Sequence, residues 1–239
     1  MNFSQEKIRG FDLEKNQQSR LAMIGAGAIG SHVGLGLTRK GIGVLDLFDD
    51  DLVELKNLTR QIFYRNDVGK NKAACLARHL SRQGFFKTRI SGYPYRFQEA
   101  VEMGFDFSGY DLVVCGVDNN VTRTAVAGYC LENEIPLVVS GVGRDGNQMY
   151  CAVQEPGRAC FGCIMPQSVN DDSYPCNLPG IIDIIQVVAG FMVFAVDTVL
   201  MERHREWNLR MVSLDGSVPD TSATIEKNKD CPLCGHGRR

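Results

Sequence analysis

An apolar run, Arg20-Leu-Ala-Met-Ile, breaks into Gly25-Ala-Gly27-Ala-Ile-Gly30 and continues as a helix-compatible segment to Lys40. Glycines at that spacing let a buried strand turn sharply into a helix whose first amides are unpaired and approachable. The rest of the chain supplies the alternation that such a turn requires. Ile42 to Asp49 reads as the second strand, followed by a helix near Asn71 to Arg82, a strand near Lys87 to Ser91 and a helix near Phe97 to Met103. Asp111 to Gly116 is the next strand, Asn120 to Glu132 a helix and Pro136 to Gly141 a strand. This order predicts an α/β fold, a Rossmann-like and mainly parallel sheet with helices on both faces. Beyond Gly141 the pattern changes to a strand at Gln148 to Val153, a polar loop at Gln167 to Pro175 and a long helix from Ile181 to Arg205. Strand-like pieces at Leu209 to Leu214 and Ala223 to Lys227 follow, giving an antiparallel C-terminal extension.

With 44% hydrophobic residues in 239, the chain can bury a full core, and no linker or repeat divides it. One domain over residues 1–239 is expected. The 26 Lys and Arg against 28 Asp and Glu give a net charge of -2, so no diffuse field favours nucleic acid or an anionic membrane. The first twenty residues are charged throughout and hold no apolar run of signal-peptide type, which predicts a cytoplasmic protein. Gly180 to Met201 is the most apolar stretch, but Asp183, Gln186 and Asp197 interrupt it, and it reads as a buried or interface helix.

The glycine turn alone suits several nucleotides. Its plainer reading is a tight turn with no ligand, but Asp49 ends the second strand where an acid can accept ribose hydroxyls. Asn57-Leu-Thr-Arg60-Gln61 and Gly69-Lys70-Asn-Lys72 then bring a guanidinium, an amide and ammonium groups towards the same end of the sheet. That much positive charge suits a triphosphate better than the pyrophosphate of NAD, so ATP is expected. Asp118 closes the fourth strand in Gly-Val-Asp118-Asn119 and can hold Mg2+ there; its plainer alternative, with Asn119, is to cap the following helix.

Cys160-Phe-Gly-Cys163 and Cys231-Pro-Leu-Cys234 are two CxxC knuckles that together supply the ligands of a structural Zn2+. A redox pair is the alternative for either knuckle alone. Cys75, Cys115, Cys130 and Cys151 lie in apolar segments and read as core. Cys176 stands apart after the polar loop, where a thiol near a helix start has reason to be acidic and accessible. His32, His79, His204 and His236 form no acid/base or metal pattern.

Taken in order, Arg9-Gly-Phe-Asp12, Gly25-x-Gly27-x-x-Gly30, Asp49 with Asp51, Asn57-x-x-Arg60-Gln61, Val68-Gly69-x-x-Lys72, Asp118-Asn119 and the two knuckles resemble the ThiF/MoeB/HesA group, bacterial relatives of ubiquitin-activating enzymes. The resemblance covers nearly the whole chain. It implies a homodimer that binds ATP and Mg2+, adenylates the C-terminal glycine carboxylate of a small ubiquitin-like (β-grasp) sulfur carrier protein ending in Gly-Gly, and releases pyrophosphate. It places Asp49 on the ribose, Asn57, Arg60 and Lys72 on the triphosphate and Asp118 on the metal, with Gln61 and Asn119 beside them. Residues 1–145 would be the nucleotide-binding part, and residues 146–239 a zinc-stapled part for carrier binding and dimerisation. Cys176 falls where some members carry a cysteine that joins the activated carrier terminus, and any sulfur donor would be a separate protein.

Members of the group usually carry an Arg-Tyr-x-Arg-Gln arm upstream, whose first arginine reaches the partner subunit's nucleotide. Here Met1-Asn-Phe-Ser-Gln5 occupies that stretch. The expectation is that Arg9, Arg20 or a partner protein substitutes for it, or that the chain is slow, inactive or dependent on a partner. Three other readings remain. One is a non-catalytic or partner-dependent subunit of a heterodimeric activating complex, and another a related tRNA-modifying dehydratase, against which the near-neutral charge argues. The last is an NAD-dependent oxidoreductase.

Overall fold

The computed structural model describes residues 8, 10–143, 146–169 and 180–235. After a short helix α1 (Leu13–Gln18), capped by the Asp12 side chain, the chain runs β1 (Arg20–Ile24), α2 (Ala28–Arg39), β2 (Val44–Phe48), α3 (Lys72–Gln83) and β3 (Arg89–Tyr93). It continues through α4 (Phe97–Glu102), β4 (Leu112–Cys115), α5 (Asn120–Glu132), β5 (Leu137–Val142) and β6 (Gln148–Gln154). A one-turn helix α6 (Phe161–Ile164), the long α7 (Ile182–Leu200), β7 (Leu209–Ser213) and β8 (Thr221–Ala223) complete it. All eight strands form one sheet in the order β3-β2-β1-β4-β5-β6-β7-β8. The first five are parallel and the last three antiparallel, as the alternation predicts.

Successive residues of the parallel strands feed two different cores. Leu21, Met23, Leu45, Leu47, Leu112 and Val114 face α2, α3 and α7, while Ala22, Ile24, Phe48, Val113 and Cys115 face α4, α5 and α6. A strand buried on both faces has no polar side to show, which is why these strands read as continuous apolar runs. Burial pushes the thiols of Cys115 and Cys151 up to about 11 and 12, consistent with their place in the core. From β1 the chain winds to β2 and β3 on one side, and from β4 to β5 on the other. The neighbours β1 and β4 thus send their connections apart and leave a crevice beyond their carboxyl ends.

Two elements end differently from expectation. Helix α7 stops at Leu200 rather than Arg205, because Glu202 takes a left-handed φ of 50° and Arg205 turns back to Glu155 (2.5 Å) and the Trp207 carbonyl (2.5 Å). The last strand lies at Thr221–Ala223 rather than Ala223 to Lys227, since the Asn208 side chain bonds both backbone groups of Ile225 and takes them out of the ladder. Helix α7 is long and apolar enough to cross a membrane. In the fold, Ile184, Ile185, Val188, Met192, Ala195 and Val196 are buried against α2, β5 and β6, and Asp197 is neutralised by Lys40.

The glycine turn divides into positions with opposite requirements. A Cβ on Gly30 would lie 1.9 Å from the Gly25 carbonyl oxygen, whereas one on Gly27 would meet nothing within 4 Å. We expect Gly30→Ala to cost more than about 3 kcal/mol, because backbone rather than a flexible side chain must move. Gly27→Ala, at φ -76°, should leave urea-unfolding stability within about 1 kcal/mol of wild type.

Candidate functional site

Gly25 turns the chain at φ 97°, with its amide on the Phe48 carbonyl (2.9 Å). The turn lies directly against β4, since a Cβ on Gly25 would come within 3.1 Å of the backbone of Gly116 and Val117. Helix α2 therefore starts between the ends of β1 and β4. Its N-cap is Gly27, no side chain caps it, its first turn has no acid, and a Cβ on Gly27 would meet nothing within 4 Å, so the amides at its start have no side-chain partner. This is the geometry that accepts an anion.

Asp49 joins the turn to the next loop. Its two carboxylate oxygens accept the amides of Ala26 (2.7 Å) and Asp51 (2.9 Å), and its carbonyl accepts the Asn71 amide group (2.7 Å). Asp51 in turn accepts Lys72 Nζ at 2.6 Å and receives the Lys72 backbone amide on its carbonyl (2.9 Å). Gly25–Gly27, Asp49, Asp51, Asn71 and Lys72 thus form one hydrogen-bonded unit. Burial raises the Asp49 carboxyl to about 6, despite the opposing pull of Lys72 and the two amides.

The segment between β2 and α3 is held from beneath. Asn57 is buried and its side-chain oxygen accepts the Glu54 amide (2.8 Å), closing a one-turn 3-10 helix at Leu55–Thr59. The Asn57 carbonyl then receives the amides of both Arg60 (3.1 Å) and Gln61 (2.9 Å). Gln61 is buried with its Oε1 unpartnered. The half-buried Arg60 guanidinium makes no ion pair or hydrogen bond among the described residues. Further along, Asp67 receives the Tyr64 amide (2.8 Å), His79 (2.7 Å) and Arg78 (2.5 Å). Burial raises its carboxyl, but these donors outweigh that and hold it below the usual carboxylate range. The cluster fixes the approach to Lys70 and Lys72.

Asp118 is exposed just past β4, at the crevice. Asn119 does what its plainer reading suggests: it caps α5, its oxygen accepting the Thr122 amide at 2.8 Å. The intervening loop is pinned by a residue with no sequence pattern to reveal it. Arg123, 3% exposed, donates to the Val117 carbonyl (2.6 Å), the Asn120 side chain (2.8 Å) and the Ser140 carbonyl (3.1 Å). It locks the ends of β4 and β5 together behind Asp118.

The knuckles converge on the opposite face of the sheet. Cys160 and Cys163 Sγ are 3.8 Å apart, Cys160 and Cys231 3.5 Å, and Cys163 and Cys234 3.4 Å. All four sulfurs lie within 4.8 Å of one another. Tetrahedral ligands about 2.3 Å from a zinc ion are separated by about 3.8 Å, so the set fits that ion. The Asn228 and Leu233 amides point at Cys163 and Cys231 (both 3.4 Å), as donors to thiolates do, and Gly162 is required because a Cβ there would meet Cys231 Sγ at 2.9 Å. Cys176, Arg9 and His236 lie outside the described residues.

A family model described as the ThiF family matches residues 3–233. The ubiquitin-like modifier-activating enzyme 5 of Drosophila erecta is 33% identical over 173 residues, 67% of this chain and 43% of that protein. Adenylyltransferase and sulfurtransferase MOCS3 of Dictyostelium discoideum is 30% identical over 223 residues, 91% of this chain and 52% of that one. The chain spans about half the length of these relatives. The crystal structure of E. coli MccB with ATP superposes with a TM-score of 0.77 at 22% identity, over 93% of this chain and 68% of MccB, and so shares the fold.

The sulfur geometry makes a prediction that is independent of any nucleotide. Purified protein should carry one zinc per chain by elemental analysis, and Cys231→Ser should lose it. Strong chelation should lower Tm by on the order of 10 °C, since the staple closes a long loop.

Proposed function

Because the chain belongs to the ThiF family, we propose that it binds ATP at the crevice between β1 and β4 and adenylates the C-terminal glycine carboxylate of a small ubiquitin-like sulfur carrier protein ending in Gly-Gly, releasing pyrophosphate. The observation that carries this reading is the single hydrogen-bonded unit that ties the uncapped start of α2 at Gly27 to Asp49, Asp51 and Lys72. The activities that name the two relatives, activation of a ubiquitin-like modifier and adenylyl transfer, support it, as does MccB's structure with ATP.

In this reading the α2 amides hold phosphate, Asp49 accepts the ribose hydroxyls and Asn57 and Gln61 line the triphosphate. The carrier carboxylate attacks the α-phosphorus in line, the bond to the bridging oxygen breaks, and pyrophosphate leaves. Arg60, which has no partner among the described residues, and Lys72 stabilise the charge that develops. Lys72 reaches the phosphates by sharing its ammonium with Asp51, which holds it in place beforehand. Asp118 offers a hard oxygen for Mg2+, which supplies charge neutralisation between phosphates when bound. In a later step the Cys176 thiolate attacks the glycyl adenylate, breaking the acyl–phosphate bond to form a thioester and release AMP; any sulfur delivered to the carrier comes afterwards from a separate donor protein. A homodimer covers the outward side of α7, where Ile181, Ile182 and Phe194 are exposed. No nucleic acid or membrane takes part.

ATP/pyrophosphate exchange with Mg2+ and carriers ending in Gly-Gly is the direct test. One carrier should support exchange, Arg60→Ala should lower it by about 100-fold or more, and Cys176→Ala should leave it intact. Absence of exchange with every carrier while ATP still binds would sink the proposal. The raised Asp49 carboxyl adds a pH dependence. Below about 6 it is protonated and a weaker acceptor for ribose, so ATP should bind more weakly as pH falls through that value. The wild-type profile minus that of Asp49→Asn isolates this effect from the titration of ATP itself. The same group has the opposite sign in folding: its folded-state value is raised, so it favours the native state at low pH, and that contribution is lost as pH rises through about 6.

A further inference from the structure

The Arg60 side chain extends from a peptide fixed on both sides, and the two fixings have different origins. On the amide side the bond is local, to the Asn57 carbonyl three residues back (3.1 Å). On the carbonyl side it is distant: His32 Nε2 lies 3.3 Å from the Arg60 oxygen. His32 sits one turn into α2, the helix whose N-terminus no side chain caps. A single imidazole therefore links that helix to the backbone that carries the Arg60 guanidinium.

A histidine that only fills space is surrounded by packed atoms. His32 instead borders an open cavity of about 300 Å3 with Gly36, Lys40, Gln186 and Phe194, and its one polar contact among the described residues is the Arg60 carbonyl. Burial lowers its pKa, which keeps the ring neutral and leaves Nε2–H as the donor that the carbonyl needs. A neutral donor orients Arg60 without adding a cation that would compete for the same phosphates. The backbone at Arg60, φ -149° and ψ 1°, follows a 3-10 turn and has no ladder to hold it, so a carbonyl restraint fixes the direction of its Cα–Cβ bond.

We infer that His32 is a positioning residue that aims Arg60 at the nucleotide phosphates by holding its carbonyl against α2. The inference rests on the proposed role of Arg60, and the test separates the two. ATP affinity in the presence of Mg2+ is measured by calorimetry for the intact chain, His32→Ala, His32→Gln, Arg60→Ala and the His32→Ala/Arg60→Ala pair, with a thermal melt of each. Arg60→Ala should weaken ATP by at least about tenfold. His32→Ala should weaken it by about fivefold, the equivalent of one neutral hydrogen bond. The double variant should be no weaker than Arg60→Ala alone, and His32→Gln, whose amide can donate to the same carbonyl, should restore most of the loss.

A general structural role for His32 would move the melting temperature and add its effect to that of Arg60→Ala. Additive losses, or wild-type affinity in His32→Ala while Arg60→Ala is weak, would overturn the inference and leave the proposed function standing. Unchanged affinity in Arg60→Ala would overturn the role of Arg60 itself, and the inference with it.

Discussion

Asp49 accepts one amide from the glycine turn and one from its own loop, and the site depends on this division of its two oxygens. Without the first bond, Ala26 would have an unpaired amide where β1 turns into α2. Without the second, the loop that presents Asp51 to Lys72 would lose its fixed start. Its carbonyl also holds Asn71, the N-cap of α3, so the starts of two helices are referred to one residue. The cost is a carboxyl that burial raises to about 6, above the usual aspartate range. Such a cost is characteristic of sites whose geometry is set before a ligand arrives.

The parts legible in the sequence are those whose cause is local. A strand buried on both faces must be apolar along its length, and Gly30 must be glycine because a carbonyl occupies the place of its Cβ, so the parallel half of the fold could be read directly. The knuckles were legible because two sulfurs three residues apart point to one place whatever surrounds them. The rest depends on contacts between distant segments. Helix α7 ends at Leu200 because Arg205 is drawn to Glu155, fifty residues away, and no feature of the helix itself announces it. Helix α1 and the turn at α6 are too short for periodicity to reveal, and β3 lies two residues beyond its expected place because its pairing with β2 sets the register.

The same distinction applies within the site. Asp49 and Arg60 follow the ends of elements and Lys72 opens one, so all three could be named from position. Arg123 could not, since a lone arginine in a helix reads as solvated surface until its bonds to Val117 and Ser140 are seen. The histidines show it most clearly. None has a sequence partner of recognisable spacing, yet His79 closes a cluster on Asp67, and His32 reaches the carbonyl of a residue twenty-eight positions away.

The knuckle cysteines pair across 71 positions, with α7, β7 and β8 between them. During synthesis the first pair and the most apolar helix of the chain leave the ribosome before the second pair exists. Until then the nascent chain presents two reduced thiols and an unpaired hydrophobic surface, the signals that chaperones and proteases recognise. A metal held by all four sulfurs would need a chain translated through Cys234, so its capture would distinguish chains that have passed that point from those that have not.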